Sequence, residues 1–428
     1  MITLFSENRN IKNLLLFSFL LVVPAIIPVS AQMNARAVGL GGAYTAIARG
    51  VHSPLWNPAN LGLSDNPKFS MTLIGTSIGA WNNSFSLGMY NKYNGEYLTE
   101  DDIKDILNSI PDDGFRSNTE AFVNALSFSA GRFALTIGVL SGGFANAAKT
   151  FFEIPLTGTE INKTYEFSDT DASSLAAGLV GVSWGQPIQV DFAEEFTVGG
   201  TLNFFFAGAY ANADTTRFTI DSKPYGMDVD GLYSLTYAYN GSVGYGINLG
   251  SAARLNKKWT VSLGVTNLIS SIPFDKEVKT EKGNFSLDSL NVLTDFDEDA
   301  QDSSWTVEAS SFSTKFPAVL HLGCAYREGD VIMAVDYYQA FTKGMYGSTS
   351  PQLSVGTEWQ GVSWLPLRMG VVMGGYIGFG TSFGIGIRPG GFVLDIGYMS
   401  RGFLISPGNT KGMIVSVDLG IDLQKKRK

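Results

Sequence analysis

The chain has 428 residues and a formal net charge of −9 at neutral pH, which argues against nucleic acid or an anionic membrane surface as its main partner. Its single cysteine, Cys324, excludes an internal disulfide framework. Charged residues make up 16% of the chain, against about 25% in typical soluble domains, and 49 residues are glycine. This composition is typical of a β protein with many tight turns and an apolar surface.

The N-terminal residues 1–31 have the three parts of a secretion signal. Arg9 and Lys12 give a basic start, residues 14–27 form an apolar core, and residues 29–31 are small, as a cleavage site requires. We therefore predict that the protein is exported and that this signal peptide is removed.

A run of small residues follows the signal and suits neither a helix nor a strand. Glycines allow a close backbone approach and positive φ angles, while Pro58 restricts Asn57 to extended geometry and the Asn57 amide can satisfy local backbone groups. Such a segment can be compact without regular structure, so we predict that residues 32–66 form a plug. Its characteristic residues are Gly39, Gly41, Gly42, Tyr44, Asn57, Pro58 and Ala59.

The rest of the chain, residues 67–423, alternates between apolar and small or polar residues. The pattern is unbroken from Val415 to Leu423, where both acids fall on one face, and it recurs in several other windows. A sheet face of glycine and small polar residues suits a crowded lumen better than bulk water. We predict a transmembrane antiparallel β-barrel of about fourteen strands. The other windows are residues 133–139, 261–266, 331–338 and 392–398.

Short turns and long connections alternate, as expected for such a barrel. The predicted turns are residues 255–258, 328–330 and 389–391, and the predicted long polar loops are residues 92–119, 142–170, 211–230 and 270–312. The alternating segments number about fourteen or fifteen. If both termini are periplasmic, the strand count must be even, which favours fourteen and makes one early segment, residues 69–76, doubtful as a strand. The ending, residues 424–428, is predicted to be a short basic periplasmic tail.

Residues 369–387 carry no charge over a length that could span a membrane as a helix. Seven of them are glycine, and each interior glycine costs a helix about 1 kcal/mol relative to alanine. Two glycine-rich strands with a turn near Gly378 are therefore favoured.

Four polar residues are predicted to point into the lumen: His321, Asp336, Asp395 and Asp418. By alternation, Cys324 lies on the opposite, lipid-facing side. We expect the three carboxylates to hydrate the lumen and to hold the plug by hydrogen bonds, and we expect His321 to make a lumenal hydrogen bond rather than to act in catalysis.

The sequence favours a protein without enzymatic activity, cofactor or metal. Three Gly-x-Ser-x-Gly matches, at residues 75–79, 181–185 and 380–384, precede no convincing helix, whereas a hydrolase nucleophile elbow needs one. The acidic run at residues 295–299 resembles the start of a calcium loop but lacks its turn glycine and final glutamate. A solvated loop is the simpler interpretation, and calcium binding is left open.

The segment that follows the signal resembles the start of FadL/TodX-type outer-membrane proteins and their PorV-like relatives. The resemblance rests on Gly41-Gly42-Ala43-Tyr44 and on Asn57-Pro58-Ala59. It implies a fourteen-stranded barrel whose N-terminal segment forms a lumenal hatch. FadL-type members pass hydrophobic molecules inward by hatch movement and a sideways opening, whereas PorV-like members act with secretion machinery. Residues 99–107, which look helical with a capping-box start, match no motif of fatty-acid transport.

These observations lead to two functional expectations. The first is passive, hatch-gated uptake of hydrophobic, long-chain fatty-acid-like molecules through a Gram-negative outer membrane. The alternative is a PorV-like surface or secretion-associated protein that binds a protein partner. We expect contact with outer-membrane lipid and with the barrel-assembly machinery during biogenesis, and none with nucleic acid. An apolar cavity between the plug and the extracellular loops would favour uptake, and an exposed apolar patch on those loops would favour binding of a protein partner.

Overall fold

The computed structural model describes residues 34–423 except for residues 168–169, 291–300, 343–347 and 405–406. The predicted signal peptide, the acidic run at 295–299 and the basic tail at 424–428 lie outside the described residues.

Strands dominate the described chain. They are β1 (Phe69–Asn82), β2 (Phe115–Ala130), β3 (Phe133–Ala147), β4 (Lys163–Glu166), β5 (Asp171–Ile188), β6 (Glu195–Lys223), β7 (Gly226–Tyr239), β8 (Val243–Arg254), β9 (Trp259–Phe274), β10 (Lys279–Leu290), β11 (Gln301–Glu308), β12 (Phe312–Thr314), β13 (Val319–Glu328), β14 (Val331–Ala340), β15 (Gln352–Trp359), β16 (Leu367–Gly374), β17 (Gly378–Ile387), β18 (Phe392–Arg401) and β19 (Gly412–Leu423).

Fourteen of these strands close into an antiparallel barrel, as predicted. The wall runs through β1, β2, β3, β5, β6, β8 and β9, then through β13 to β19, and it closes where Phe69 of β1 pairs with Leu423 of β19. Closure leaves no unpaired sheet edge in lipid, which is the condition for a sheet to span a membrane.

The alternation of apolar and small residues matches the two faces of the wall. In β19, Val415 is 41% exposed on the outside while Ser416 and Asp418 are buried inside. The predicted turns at 255–258, 328–330 and 389–391 each separate consecutive wall strands. The glycine-rich stretch forms β16 and β17, as predicted, and in the part of the chain that the structure describes no helix is long and apolar enough to cross a membrane.

Three details of the sequence interpretation were wrong, one of them being the predicted loop at 270–312, which contains β10 and β11. The doubtful early segment is a full wall strand, β1, paired along its length with both neighbours. The predicted loop at 211–230 is instead a hairpin of β6 and β7, which rises beyond the wall and pairs onward to β10 and β11. Outside the membrane this hairpin needs no apolar face, so its sequence does not look like a transmembrane strand.

Helices occupy the outer loops and the N-terminal segment. The capping-box helix expected from residues 99–107 is present, with Thr99 as its N-cap and reciprocal bonds to Asp102. The helices are α1 (Ala35–Gly39), α2 (Ser53–Trp56), α3 (Leu87–Tyr93), α4 (Glu100–Ser109) and α5 (Thr150–Thr157), with 3-10 turns at Gly50–His52, Pro58–Gly62 and Pro407–Asn409.

The N-terminal segment, residues 34–66, is enclosed by the wall. Its backbone contacts the strands where they carry inward-facing glycines, because any side chain there would collide with it. A Cβ atom on Gly370, for example, would lie 2.3 Å from the Leu40 carbonyl carbon and 2.4 Å from the Gly41 nitrogen. The glycines that meet the segment in this way are Gly185, Gly199, Gly264, Gly323, Gly356, Gly370, Gly384 and Gly397.

Gly370→Ala therefore tests this fit. Crowding a packed contact costs about 1–3 kcal/mol, so we expect the segment to open roughly 5- to 150-fold more often. The measurement is the rate at which an added protease cuts the purified barrel between residues 34 and 66. Gly200→Ala is the matched control, since its Cβ would lie 3.6 Å from the nearest atom, Leu249 Cδ2. Equal cleavage rates in the two variants would contradict the fit.

Candidate functional site

Two lumenal carboxylates hold the backbone of the N-terminal segment. The Ala35 amide donates to Asp418 Oδ2 at 2.6 Å, and the amides of Tyr44 and Thr45 donate to Asp336 Oδ2 at 2.9 and 2.7 Å. An ionised carboxylate that accepts backbone amides makes a stronger hydrogen bond than a neutral acceptor does. Irregular backbone inside a barrel loses the bonds of regular structure, and these two side chains replace some of them.

Asp395, the third predicted acid, belongs to a buried chain of charges instead. Arg36 of the segment binds Glu358 in a bidentate pair, with Nε–Oε2 2.7 Å and Nη2–Oε1 2.8 Å. Glu358 also accepts from Arg368 Nε at 2.6 Å, and Arg368 reaches Asp395 at 2.7 Å. Arg388 completes the chain on Asp395 Oδ2 at 2.8 Å. Thus the wall presents alternating charges and the segment contributes one cation to them.

The Asn57-Pro58-Ala59 turn is tied to β8 and β9. The Asn57 backbone is extended, at φ −152° and ψ 104°, and its side-chain oxygen accepts from the Ala59 amide at 3.0 Å. Its Nδ2 donates to the Ser251 and Leu263 carbonyls at 2.8 and 3.3 Å. One side chain therefore caps the turn and fastens it to two wall strands.

The glycine run reverses the direction of the segment inside the barrel. Gly41 and Gly42 have φ angles of 67° and 86°, which other residues rarely adopt, while Gly39 lies against Gly384 of β17, where its Cβ would come within 2.8 Å of the Gly384 Cα. After the turn, the Tyr44 ring packs edge-on against Trp56 at 5.4 Å. This packing places Trp56 at the upper surface of the segment.

The end of the segment is tied at the periplasmic side. Asp65 pairs with Arg49 at 2.8 Å and with Arg254 of β8 at 2.6 Å, and Arg254 also binds Glu195 at 2.6 Å. Burial opposes ionisation of Asp65, but the two guanidinium groups outweigh it and hold the pKa of this carboxyl well below its usual range.

A cavity of about 110 Å³ lies between the segment and the extracellular end of the barrel. Gly42, Leu55 and Trp56 form its floor. Side chains from many wall strands form its sides, and Phe316 and Pro317 lie along its outer rim. The lining is mostly apolar, and Phe205 packs on Phe316 with ring centroids 5.0 Å apart. The arrangement encloses a small apolar space with a few polar groups, which is the usual form of a ligand site.

His321 and Asp336 are the predicted lumenal residues that reach this cavity. His321 is buried, its Nε2 lies 3.1 Å from Thr266 Oγ1, and its ring packs against Trp56 and Tyr338. Asp395 and Asp418 lie elsewhere, at the charge chain and at the start of the segment. The predicted residues thus divide between holding the segment and lining the space above it.

Sequence reasoning missed Arg36, Glu358, Arg368 and Arg388. Alternation in β15 and β16 does put Glu358 on the face of Ser354 and Gly356, and Arg368 on the face of Gly370. Inward charges next to lumenal glycines were therefore a usable signal. Their pairing depends on strand register, which the sequence does not contain.

Known structures with the same architecture span nearly the whole chain. The toluene transporter TodX of P. putida aligns over 92% of this chain and 99% of its own, at TM-score 0.55 and 11% identity. The toluene transporter TbuX of Ralstonia pickettii covers 91% and 98%, at TM-score 0.51 and 13% identity. A Pseudomonas aeruginosa FadL homologue covers 92% and 99%, at TM-score 0.51 and 11% identity. The chain has the FadL-type outer-membrane barrel fold.

Sequence comparison adds less than structure. A model of a family of unknown function, DUF5723, matches residues 225–397, which include wall strands from β8 to β18. No match was found among curated proteins. The FadL-type fold was expected from the N-terminal motifs and is confirmed by the architecture.

Breaking the buried charge chain should destabilise the protein. Glu358→Gln leaves two buried guanidinium groups short of a counter-charge, which costs about 3–5 kcal/mol. The control, Glu328→Gln, breaks an exposed pair with Lys258 and should cost about 0–1 kcal/mol. Thermal unfolding midpoints of the purified barrels measure both, and a Glu358→Gln midpoint equal to that of the control would contradict the role of the chain.

The lowered pKa of Asp65 predicts that the stability of the fold depends on pH. Because its pKa is lower in the folded state, its stabilisation is present above the unfolded value of about 3.9 and is lost as pH falls towards the folded value. Asp65→Asn should therefore lower the unfolding midpoint at pH 7, and the gap from the parent protein should shrink below about pH 4. Asp101→Asn, on an exposed helix position, is the control. A gap at Asp65 that is independent of pH would contradict this account.

Proposed function

We propose that this protein is a passive outer-membrane channel for hydrophobic small molecules and that residues 34–66 act as its hatch. The observation that carries the proposal is the aromatic-lined cavity between this segment and the extracellular end. A static structural plug would have no need of an apolar space above it, because empty apolar space inside a protein is destabilising.

The size of the cavity supports a ligand of about one ring. An apolar cavity of about 150 Å³ in another protein binds benzene, and the space here is about 110 Å³. A single ring or a short aliphatic stretch therefore fits with little adjustment. The fatty-acid-like ligand expected from the sequence would need the hatch to shift further. Two of the structural neighbours are described as toluene transporters, which agrees with the smaller ligand.

The same observation favours uptake over the partner-binding alternative. A partner-binding barrel needs its apolar surface on the outer loops, whereas Trp56, Phe205 and Phe316 face a cavity inside this barrel. Uptake is therefore the function that the geometry supports best.

The attachment of the hatch suits a segment that moves. Its strongest ties to the wall are polar: the bonds to Asp336 and Asp418, the Arg36–Glu358 pair and the Asn57 amide. Water can replace polar partners when the segment shifts, at a net cost of about 1.5–3 kcal/mol for each hydrogen bond to a charged group. The segment also buries Leu40, Leu61 and Leu63, and this apolar contact adds to the cost of a shift.

An exit through the wall lies beside the hatch in this proposal. The pairing of β2 with β3 changes register between Asn124 and Phe128. At this break the Ser127 hydroxyl replaces backbone groups of β2: its Oγ accepts from the Ile137 amide at 2.7 Å and donates to the Ile137 carbonyl at 3.1 Å. Phe122 and Asn124 also border a small void against Trp56. Bulges of this kind are common next to functional sites, and this one lies beside the void that borders Trp56.

The proposal predicts that the barrel speeds entry of a hydrophobic compound. Cells that lack hydrocarbon channels of their own should accumulate radiolabelled toluene faster when they carry this barrel, and deletion of residues 32–63 should change that rate. A barrel present in the outer membrane at normal levels with no effect on toluene entry would overturn the proposed function.

Locking the hatch should stop entry. A Cβ built on Gly264 lies 3.8 Å from the Asn57 Cβ, the mean Cβ separation of a disulfide, and 2.9 Å from the Trp56 carbonyl oxygen, which must shift to admit it. Asn57→Cys/Gly264→Cys can be oxidised in a Cys324→Ala background, and Gly264→Cys alone measures the effect of that crowding. We expect the oxidised barrel to lose most toluene entry and the reduced barrel to recover it. The two single variants control for the substitutions. Equal entry in the oxidised and reduced forms would contradict gating by the hatch.

A further inference from the structure

The cavity has two chemically different walls. Apolar side chains come from β2, β3, β5 and β6, whereas polar side chains begin on β6 and continue through β9 and β13 to β15. The apolar wall consists of Phe122, Leu140, Leu179 and Phe205. The polar wall includes Asn203, Thr266, Asn267, His321, Asp336 and Ser354, and Tyr337, Tyr338 and Gln352 also border the cavity on this side. A ligand that fills this space therefore meets carbon on one side and hydrogen-bonding groups on the other.

Three acceptors on the polar wall have no hydrogen-bond partner among the described residues. They are the side-chain oxygens of Asn203 and Asn267 and the Oδ1 atom of Asp336, whose residues are 2%, 9% and 4% exposed. The Asn203 oxygen lies over Gly181 of the neighbouring strand, where a Cβ would come within 2.6 Å of it. Buried acceptors without a donor are costly and uncommon in native proteins. These residues border the cavity, so a rotation of the side chain turns the oxygen, which is covered by protein in this structure, towards a donor that a ligand supplies.

The charge of the lining excludes an anionic head group as the natural fit. No lysine or arginine is among the described residues that border the cavity, and Asp336 is the only acidic one. Arg36 and Arg368 are already engaged by Glu358 and Asp395. A carboxylate brought into the cavity would be desolvated without a counter-ion and would stand near Asp336, which is unfavourable on both counts.

We propose that the channel selects a neutral molecule of about one ring that carries a hydrogen-bond donor, such as a substituted phenol. The ring lies against Phe122, Leu140 and Phe205, and the hydroxyl donates to Asn203 Oδ1. This assignment rests on the proposed function and names its ligand class.

Spacing along one strand fits such a ligand. Asn203 and Phe205 are two residues apart on β6, so they share the lumenal face at a separation of about 6–7 Å along the strand. A ring that packs on Phe205 can therefore direct a hydroxyl towards Asn203 from its far edge. Sites built to bind a hydroxyl discriminate against analogues without it because their polar groups are then left unpaired.

Three compounds of one shape test the proposal by isothermal titration calorimetry on the purified full-length barrel: toluene, 4-methylphenol and 4-methylbenzoate. We expect 4-methylphenol to bind about tenfold more tightly than toluene, which is the effect of one hydrogen bond at the upper end of its usual range. We expect 4-methylbenzoate at pH 7 to bind more weakly than either.

Asn203→Leu tests the residue. It replaces the amide by an apolar side chain of similar size, so the preference for 4-methylphenol over toluene should fall close to unity while toluene binding is kept or improved. Ser141→Ala is the control, because Ser141 is another buried wall residue whose side-chain oxygen has no hydrogen-bond partner among the described residues, and it does not border this cavity. It should keep the tenfold preference. Heat-modifiable migration on a gel checks that both variants are folded.

The outcomes separate this inference from the proposed function. Equal binding of toluene and 4-methylphenol, tightest binding of 4-methylbenzoate, or an unchanged preference in Asn203→Leu would overturn the ligand class and leave hydrophobic uptake standing. Failure of all three compounds to bind, together with no toluene entry into cells, would overturn both.

Discussion

An irregular chain can lie inside a membrane barrel only if its backbone polar groups find partners there. This constraint explains the two main features of the lumen. Glycines on the wall let the N-terminal segment come within contact distance of the strands, and Asp336, Asp418 and the Asn57 amide then supply hydrogen bonds at that distance. Neither feature is sufficient alone, because a closely packed segment without these acceptors would bury unpaired amides.

The same arrangement leaves the cavity. The segment fills the lumen up to Trp56, where the aromatic floor meets the side chains of the outer half of the barrel. Below that level the contacts include the charged chain from Arg36 to Arg388 as well as apolar packing around Val38 and Leu63, and above it they are mostly apolar. In the proposed function, closure and ligand binding belong to opposite surfaces of one short segment, so a shift of the segment changes both together.

Sequence alone predicted the barrel because the alternation in β14, β18 and β19 depends only on local chemistry, with lipid on one side and a crowded lumen on the other. It also placed Asp336, Asp395, Asp418 and His321 on the inner face. It did not predict the β6–β7 hairpin beyond the membrane, because there the two faces of a strand do not meet lipid on one side and the lumen on the other, so no alternation is required. Nor did it give the Arg36–Glu358 pair or the cavity, since both depend on which distant strands meet.

The most direct measurement of the central claim is amide hydrogen exchange on the purified barrel with and without 4-methylphenol. If the N-terminal segment is a hatch held by polar ties, the amides of Ala35, Tyr44 and Thr45 should exchange together, faster than those of β19, and faster again when the ligand is added. Exchange of these three amides as slow as that of β19, with no response to ligand, would contradict the claim and leave the segment a static plug.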